Sequence, residues 1–479
     1  MSNCKILKMN KRHLTLLVIS LVFLTGCEKG YLDDPKPTES VNSSVVFESR
    51  DGVEAFMSGI LRETRGQFTR TDSGGLYSMY FARVVKGNDL VLGYQWYLFD
   101  YENDNREPTY TRTTFSWEFP YYLINQINQL IKGVKNSTSL SDLEKDEFLG
   151  QAYAMRGFYY FQLAMEFQHT YSYDLSLPAP PIYNEPAIEG KAMSTLGELY
   201  DFILADLNAA VETAPASRIN KSYINQNVAY AILARVHQVM GNWQEAANAA
   251  SIARQGYPLN PVQYGLGFDD MNASEWIWAM PQRDDQTNYF YIAPHAFTDN
   301  INDGYGLAFW NKEFVSLFSP TDVRNTFIDL YNVGDSDLYY ARASSKFTFD
   351  FSSDIPIIRS PEMLLIEIEA NARLGKEGEA VNMLLALQQN RDPDAVASGN
   401  TGDALIEEIL VERRKELYGE MGVEWFDAKR LRRGITRTGN HRVGSTANLL
   451  PDDKKFFLKI PQKEIDANDL IDDSVNTDR

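Results

Sequence analysis

The sequence predicts a mainly α fold, a tetratricopeptide-like helical superhelix interrupted by an irregular, loop-rich lobe. Three stretches carry that expectation. Residues 227–258, NVAYAILARVHQVMGNWQEAANAASIARQGYP, set Tyr230, Leu233, Ala234 and His237 on one helix face and Ala246, Ala250 and Ala253 on a second, then close on Pro258. Those offsets fit the tetratricopeptide helix-turn-helix, in which small residues let two helices approach and a proline ends the second. Residues 361–393 keep the same glycine-to-alanine spacing, Gly375 to Ala380 against Gly241 to Ala246. A third pair, within 146–214, is split: Asp146 to Phe167, then Leu196 to Ala214, around a long connection containing Pro and Tyr. Inserted loops of that length in helical repeats are often functional.

Two segments break the rhythm. Residues 66–116 are rich in Gly, Tyr, Asp and Asn with short apolar stretches such as Leu90-Val91-Leu92, and 259–310 is similar, with a strand-like Glu275-Trp276-Ile277-Trp278-Ala279-Met280. Together they predict the irregular, variable lobe. Trp117, Tyr121, Ile124, Asn128 and Ile131 then restore a helical period, which places Trp117 and Tyr121 in a core.

The amino terminus has the architecture of a secretory signal. Lys5, Lys8, Lys11 and Arg12 precede an apolar run from Leu14 to Leu24 that ends in Thr25-Gly26, too short to cross a bilayer, which takes about 20 apolar residues. Leu24-Thr25-Gly26-Cys27 resembles the bacterial lipobox, in which the cysteine takes a diacylglyceryl group and becomes the acylated amino terminus after cleavage. An ordinary cleaved signal with an incidental cysteine is the alternative. Cys4, the only other cysteine, lies in the removed peptide, so the mature chain can form no intramolecular disulfide and no cysteine-rich metal site. The reading is a signal peptide over 1–26, a lipidated terminus and tether over 27–45, and a body over 46–479.

Loss of the four basic side chains of the signal takes the formal charge from −19 to −23. So acidic a body repels phosphate backbones, which argues against nucleic acid as a partner. Hydrophobic residues at 44% suffice for a large core, and 27 tyrosines and 7 tryptophans raise the question of where the rings go.

Several blocks, taken together, resemble the SusD/RagB-like family of outer-membrane nutrient-binding lipoproteins over nearly the whole length. They are the lipobox followed by Tyr31-Leu32-Asp33 and Pro35-Lys36-Pro37-Thr38; the helix from Gln151 to Tyr160; the repeat from Ala229 to Trp243; Ile355 to Leu365; Glu412 to Leu417; Trp425-Phe426-Asp427; and Leu458 to Ile465. The resemblance implies a lipoprotein on the outer membrane, facing the medium, that captures oligosaccharides or other nutrients and partners a TonB-dependent, SusC-like transporter. It also implies that the loop-rich lobe carries the ligand site. One departure is Gly419-Glu420-Met421-Gly422-Val423-Glu424-Trp425, where family members more often have Glu-Gly and an arginine just before the Trp. It bears on packing more than on function.

No His-Glu-x-x-His, Gly-x-Ser-x-Gly or Gly-x-x-x-x-Gly-Lys-[Ser/Thr] signature occurs, and the chain implies no cofactor. Of the histidines that remain, none has a second at metal-ligand spacing, and His237 reads as core. Asp299-x-x-Asn302-Asp303-Gly304 resembles a calcium loop but lacks a ligand at 301 and has Trp310 where the bidentate Glu belongs, so no metal is expected.

The aromatic-polar run from Gly93 to Asn105 is the candidate ligand platform. A sugar presents a C–H face and a rim of hydroxyls, so it needs a flat ring to stack on and polar groups beside it. Trp96 is the expected main ring, Tyr94 and Tyr97 the flanking rings, and Asp100 or Asn103 the hydroxyl partners; Tyr289, Tyr291 and Trp310 form a second set. The alternative for each ring is burial in the lobe's own core. The leading function is thus a non-catalytic surface binding protein for glycan uptake. The alternative of another class is a surface glycoside hydrolase of helical architecture, which needs two carboxylates opposed across a cleft; a scaffold that binds only the transporter is a third.

Overall fold

In the computed structural model, residues 46–66, 68–93, 96–283, 294–302, 304–442 and 447–479 are described. From Phe47 onward the chain begins with helix α1 (Arg50–Gly66), the hairpin β1 (Phe68–Arg70) and β2 (Ser73–Gly74), and helix α2 (Gly75–Val84). Strand β3 (Leu90–Leu92) and a short helix α3 (Leu98–Tyr101) lead into α4 (Thr111–Asn136) and α5 (Asp142–Phe167). Strands β4 (Pro178–Ala179) and β5 (Ser194–Thr195) tie down the long connection before α6 (Leu196–Thr213), α7 (Gln226–Met240) and α8 (Trp243–Ala253). The lobe follows: β6 (Trp276–Met280), α9 (Pro294–Thr298), β7 (Ala308–Trp310), α10 (Lys312–Val315), β8 (Phe327–Ile328), β9 (Ala343–Ser344) and β10 (Ile355–Arg359). Helices α11 (Ser360–Arg373), α12 (Glu377–Arg391), α13 (Gly402–Leu417), α14 (Val423–Arg430) and α15 (Gln462–Ala467) complete the body. Among the described residues the strands form antiparallel pairs, β3 with β7 and β6 with β10 among them.

The helix pairs follow from local chemistry. Ser141 and Glu144 cap α5 reciprocally, and Thr195 and Glu198 do the same for α6, so each helix start satisfies its own orphan N–H groups. Gly241 and Gly375 adopt φ of 77° and 78°, a left-handed conformation that ends the first helix of each repeat at little steric cost. Ala246 and Ala380, five residues on, are completely buried where the second helix returns against the first. In the split pair glycine sets the approach: a Cβ on Gly150 would lie 2.3 Å from the Ala214 backbone nitrogen. Across α11 to α13, Leu365, Ile368, Leu384, Leu387, Leu405 and Ile409 form one apolar cluster, each full burial stabilising by about 1.5–3 kcal/mol before entropy is charged.

The 66–116 segment is more regular than its composition predicts. All ten residues of α2 are buried, so the helix has no polar face and shows no amphipathic period. The irregular region also extends beyond 310, through β8 and β9 to β10.

A buried ionic network joins lobe and helices. All five guanidinium hydrogens of Arg359, at the end of β10, are used: Nε and Nη2 donate to Glu420 at 2.9 and 2.6 Å, Nη1 to Glu275 at 3.1 Å and Glu416 at 3.0 Å, and Nη2 also to the Glu416 carbonyl at 2.8 Å. Arg391 bonds Glu275 and Glu416, Arg324 reaches Glu416 and Glu412, and Lys346 reaches Glu420. Burial opposes the Glu416 charge, yet Arg391, Arg359 and Arg324 hold its carboxyl well below the usual range. Glu424, at the family departure, is likewise structural: its carboxylate accepts from the Asn88 and Asp89 N–H groups.

Candidate functional site

Strands β3 and β7 pair Leu90 with Trp310, Val91 with Phe309 and Leu92 with Ala308, and the ladder runs on where the Gly93 N–H donates to the Leu307 carbonyl at 2.7 Å. The ladder sets the chain at Trp96 beside that at Tyr305. The half-buried Trp96 ring lies against Tyr305 with centroids 4.6 Å apart. Tyr305 stacks on Phe297 at 5.6 Å, and Phe297 stacks on Phe81 of α2 at 4.8 Å. Among the described residues, a column of rings therefore rises from the buried Phe81 to the half-buried Trp96.

Three other candidates of the run, Tyr97, Asp100 and Asn103, turn inward, which corrects the sequence expectation for them. Tyr97 adopts φ of 65°, is buried, and sits edge-on to Phe81 and Phe297 under the Arg112 guanidinium. Asp100 is completely buried and accepts from Arg112 Nε at 3.2 Å and Asn105 Nδ2 at 2.9 Å; burial raises its carboxyl pKa, against the pull of Arg112 and Lys86. Asn103, also left-handed, donates to the Ala447 carbonyl at 2.6 Å. These three fix the loop and leave Phe99, 57% exposed, beside Tyr110 as the outward rings after Trp96. Trp310 is likewise core, enclosed by Phe314, Phe327 and Tyr418. Tyr94, Tyr289 and Tyr291 lie outside the described residues.

Beside the ring column opens a cleft of about 460 Å³, lined by Gly93, Gly306, Phe309, Tyr331, Tyr339 and Tyr340 among others. Tyr340 stands edge-on to both Tyr331 and Tyr339, at 5.4 and 5.0 Å, and Phe309 backs them. Glycine matters at 93, where a Cβ would meet the Leu307 carbonyl at 3.1 Å and the Tyr339 ring at 3.5 Å. The Arg442 guanidinium lies over Tyr339 at 5.4 Å. Flat rings with a cation at the margin suit a ligand with C–H faces and hydroxyl edges. The three tyrosines are absent from the sequence-based candidates; the signal that could have found them is Tyr331, Tyr339 and Tyr340 interleaved with Asp329, Asp335 and Asp337, the same aromatic-polar mixture without helical period as 93–105.

Asp299 accepts from the N–H groups of Ile301, Asn302 and Phe349 and from Asn302 Nδ2, so its oxygens organise the loop. Among the described residues no group of three or more His, Cys, Asp or Glu could hold a metal ion, and no helix is long and apolar enough to cross a membrane. His237 is buried within α7.

A family profile described as "Starch-binding associating with outer membrane" matches residues 31–237, and a second, "SusD family", matches residues 336–475. Two SusD-like proteins of Formosa agariphila are each 23% identical, one over 406 residues (71% of this chain, 76% of the relative) and one over 403 (74% and 78%). Among solved structures, a SusD-like carbohydrate binding protein from Bacteroides vulgatus is similar at 26% identity and a TM-score of 0.81, covering 88% of this chain and 97% of that one. A SusD superfamily protein from Bacteroides thetaiotaomicron (22%, TM-score 0.78, 88% and 98% covered) and a laminarin-binding SusD-like protein (18%, 0.69, 88% and 98%) share the fold.

Proposed function

Because the chain belongs to the SusD/RagB-like family, a family of carbohydrate-binding proteins associated with the outer membrane, we propose that it is a non-catalytic surface lipoprotein that binds an oligosaccharide and delivers it to a TonB-dependent transporter. The observation that carries the reading is the ring column ending on Trp96 beside the tyrosine cleft. Trp96 and Tyr305 supply a stacking rim, and Tyr331, Tyr339 and Tyr340 supply rings with hydroxyls that can bond sugar hydroxyls. The family's general role in uptake and the laminarin binding of one similar protein support the ligand class. Cys27 is the anchor in this reading, held by several acyl chains where one would be marginal.

A glycan array on the full mature chain identifies ligands, and calorimetry on the array hit compares wild type with Trp96→Ala and Tyr340→Ala. Stacking contributes on the order of 1 kcal/mol beyond area burial, so each variant binds about tenfold more weakly or worse. Unchanged affinity in both variants places the ligand elsewhere. New reducing ends on incubation with the same glycan would replace this reading with a hydrolase.

A further inference from the structure

A second recess shares no residue with the cleft. It has a volume of about 400 Å³ and is framed by the first half of α4, residues 183–190 of the connection before α6, and α15. Trp117, Tyr121 and Tyr122 of α4 and Tyr183 of the connection supply its rings; the helical spacing places Trp117 and Tyr121 in the core, and both also border this space. Ring centroids are 5.0 Å apart for Trp117 and Tyr121 and 5.6 Å for Tyr121 and Tyr183.

The charged residues of the lining are Glu118, Glu189 and Glu464, and no lysine or arginine is among them. Glu464 is held in place, accepting from Trp117 Nε1 at 3.1 Å and Asn468 Nδ2 at 2.9 Å, and Tyr121 is fixed by donating to the Pro181 carbonyl at 2.7 Å. Tyr122 is 42% exposed and Glu189 is exposed. Cations of the chain already approach from outside: Lys463 pairs with the exposed Glu118 at 3.2 Å, and the Lys191 ammonium lies over Tyr183 at 5.3 Å while donating to the Ile182 carbonyl.

A concave wall of aromatic faces, each with a negative quadrupole, set among carboxylates favours one chemistry, a cation carried on a ring or an apolar frame. A neutral sugar can offer those carboxylates hydroxyl hydrogen bonds but no opposite charge, so a cationic sugar gains an ion pair that the neutral one lacks. We propose that this recess is a second ligand site, selective for a sugar ring that bears a protonated amine. The sugar half of the proposal rests on the carbohydrate-binding reading above; the selectivity for positive charge does not. In the bound arrangement the ring stacks on Tyr121 and Tyr122 and the ammonium pairs with Glu189 and Glu464.

The test uses glucosamine oligomers and their fully N-acetylated counterparts of equal length at pH 6, where a free amine is protonated. Calorimetry is run on the full mature chain, on the exposed-site variants Tyr122→Ala and Glu189→Gln, and on Trp96→Ala to separate the two sites. The expected result is about tenfold tighter binding of the amine-bearing oligomer, equivalent to one ion pair or cation–π contact in a partly desolvated site. That preference falls at least about fivefold in Tyr122→Ala and Glu189→Gln and survives Trp96→Ala. No binding of the amine-bearing oligomer, equal binding of the two, or loss only in Trp96→Ala overturns the proposal. A neutral glycan that binds through Trp96 while the amine-bearing oligomer fails would leave the cleft assignment standing and remove this one.

Discussion

Arg359 offers the sharpest perturbation of the fold. Replacing it with Met keeps much of the aliphatic volume but withdraws five donated hydrogen bonds from a site that is 1% exposed. Glu275 and Glu416 retain Arg391, and Glu420 retains Lys346, so no carboxylate is left wholly alone, yet three negative charges then face fewer cations in the interior. Breaking a buried pair from one side costs about 3–5 kcal/mol. Burial already raises the Glu275 carboxyl pKa against the pull of Arg391 and Arg359, so loss of Arg359 raises it further. The folded variant then binds a proton that the unfolded chain binds only at lower pH, and its deficit shrinks as pH falls from 8 towards 5. Chemical denaturation of Arg359→Met, Glu420→Gln and the double variant at both pH values measures this. The single Arg359 variant is expected to lose about 3–5 kcal/mol at pH 8, with a coupling energy to Glu420 above about 1 kcal/mol. A loss below about 1 kcal/mol, or additive single effects, would show that the guanidinium is dispensable and refute the argument.

The two tryptophans divide by role: Trp310→Ala, in the core, should cost about 3–5 kcal/mol in denaturant midpoint analysis, while Trp96→Ala leaves stability within about 1 kcal/mol and acts on glycan affinity. His295 is completely buried, its Nε2–H donating to the Phe268 carbonyl, and burial lowers its pKa from 6.5 to about 4. The unfolded chain therefore takes the proton first, so its contribution to stability is whole above pH 6.5 and is lost as pH falls towards 4; at pH 5 the loss is about 2 kcal/mol, and urea melts of wild type and His295→Phe across that window should converge if the histidine is responsible. Cys27→Ser should move the protein out of the membrane fraction and abolish its acyl mass; retention of both would dismiss the lipid site.

What the sequence revealed was local, and what it hid was not. Gly241 and Ala246 announce a repeat turn because a left-handed glycine and a small residue five places on are both demanded within one helix pair. The burial of Tyr97, Asp100 and Asn103 depends on Arg112 and on Ala447, the second some 340 residues away, and nothing in 93–105 records it. Helix α2 escaped because a helix buried on every face has no period to read. Trp117 and Tyr121 were legible as helical and mostly buried, but the recess they border needs α15, placed by the far end of the chain. The cleft tyrosines were missed since Tyr331 to Tyr340 gain meaning only when β7 lays Phe309 behind them.

The stack from Phe81 through Phe297 and Tyr305 to Trp96 bears on how a ligand would be received. An exposed indole on a flexible loop must surrender its rotational freedom at the moment of contact, and that loss is deducted from the affinity. Here the rim ring rests on a pile whose base is completely buried, so the ordering was completed when the chain folded. Such a rim needs little induced fit: a ligand received there is selected by whether its own curvature matches a fixed plane.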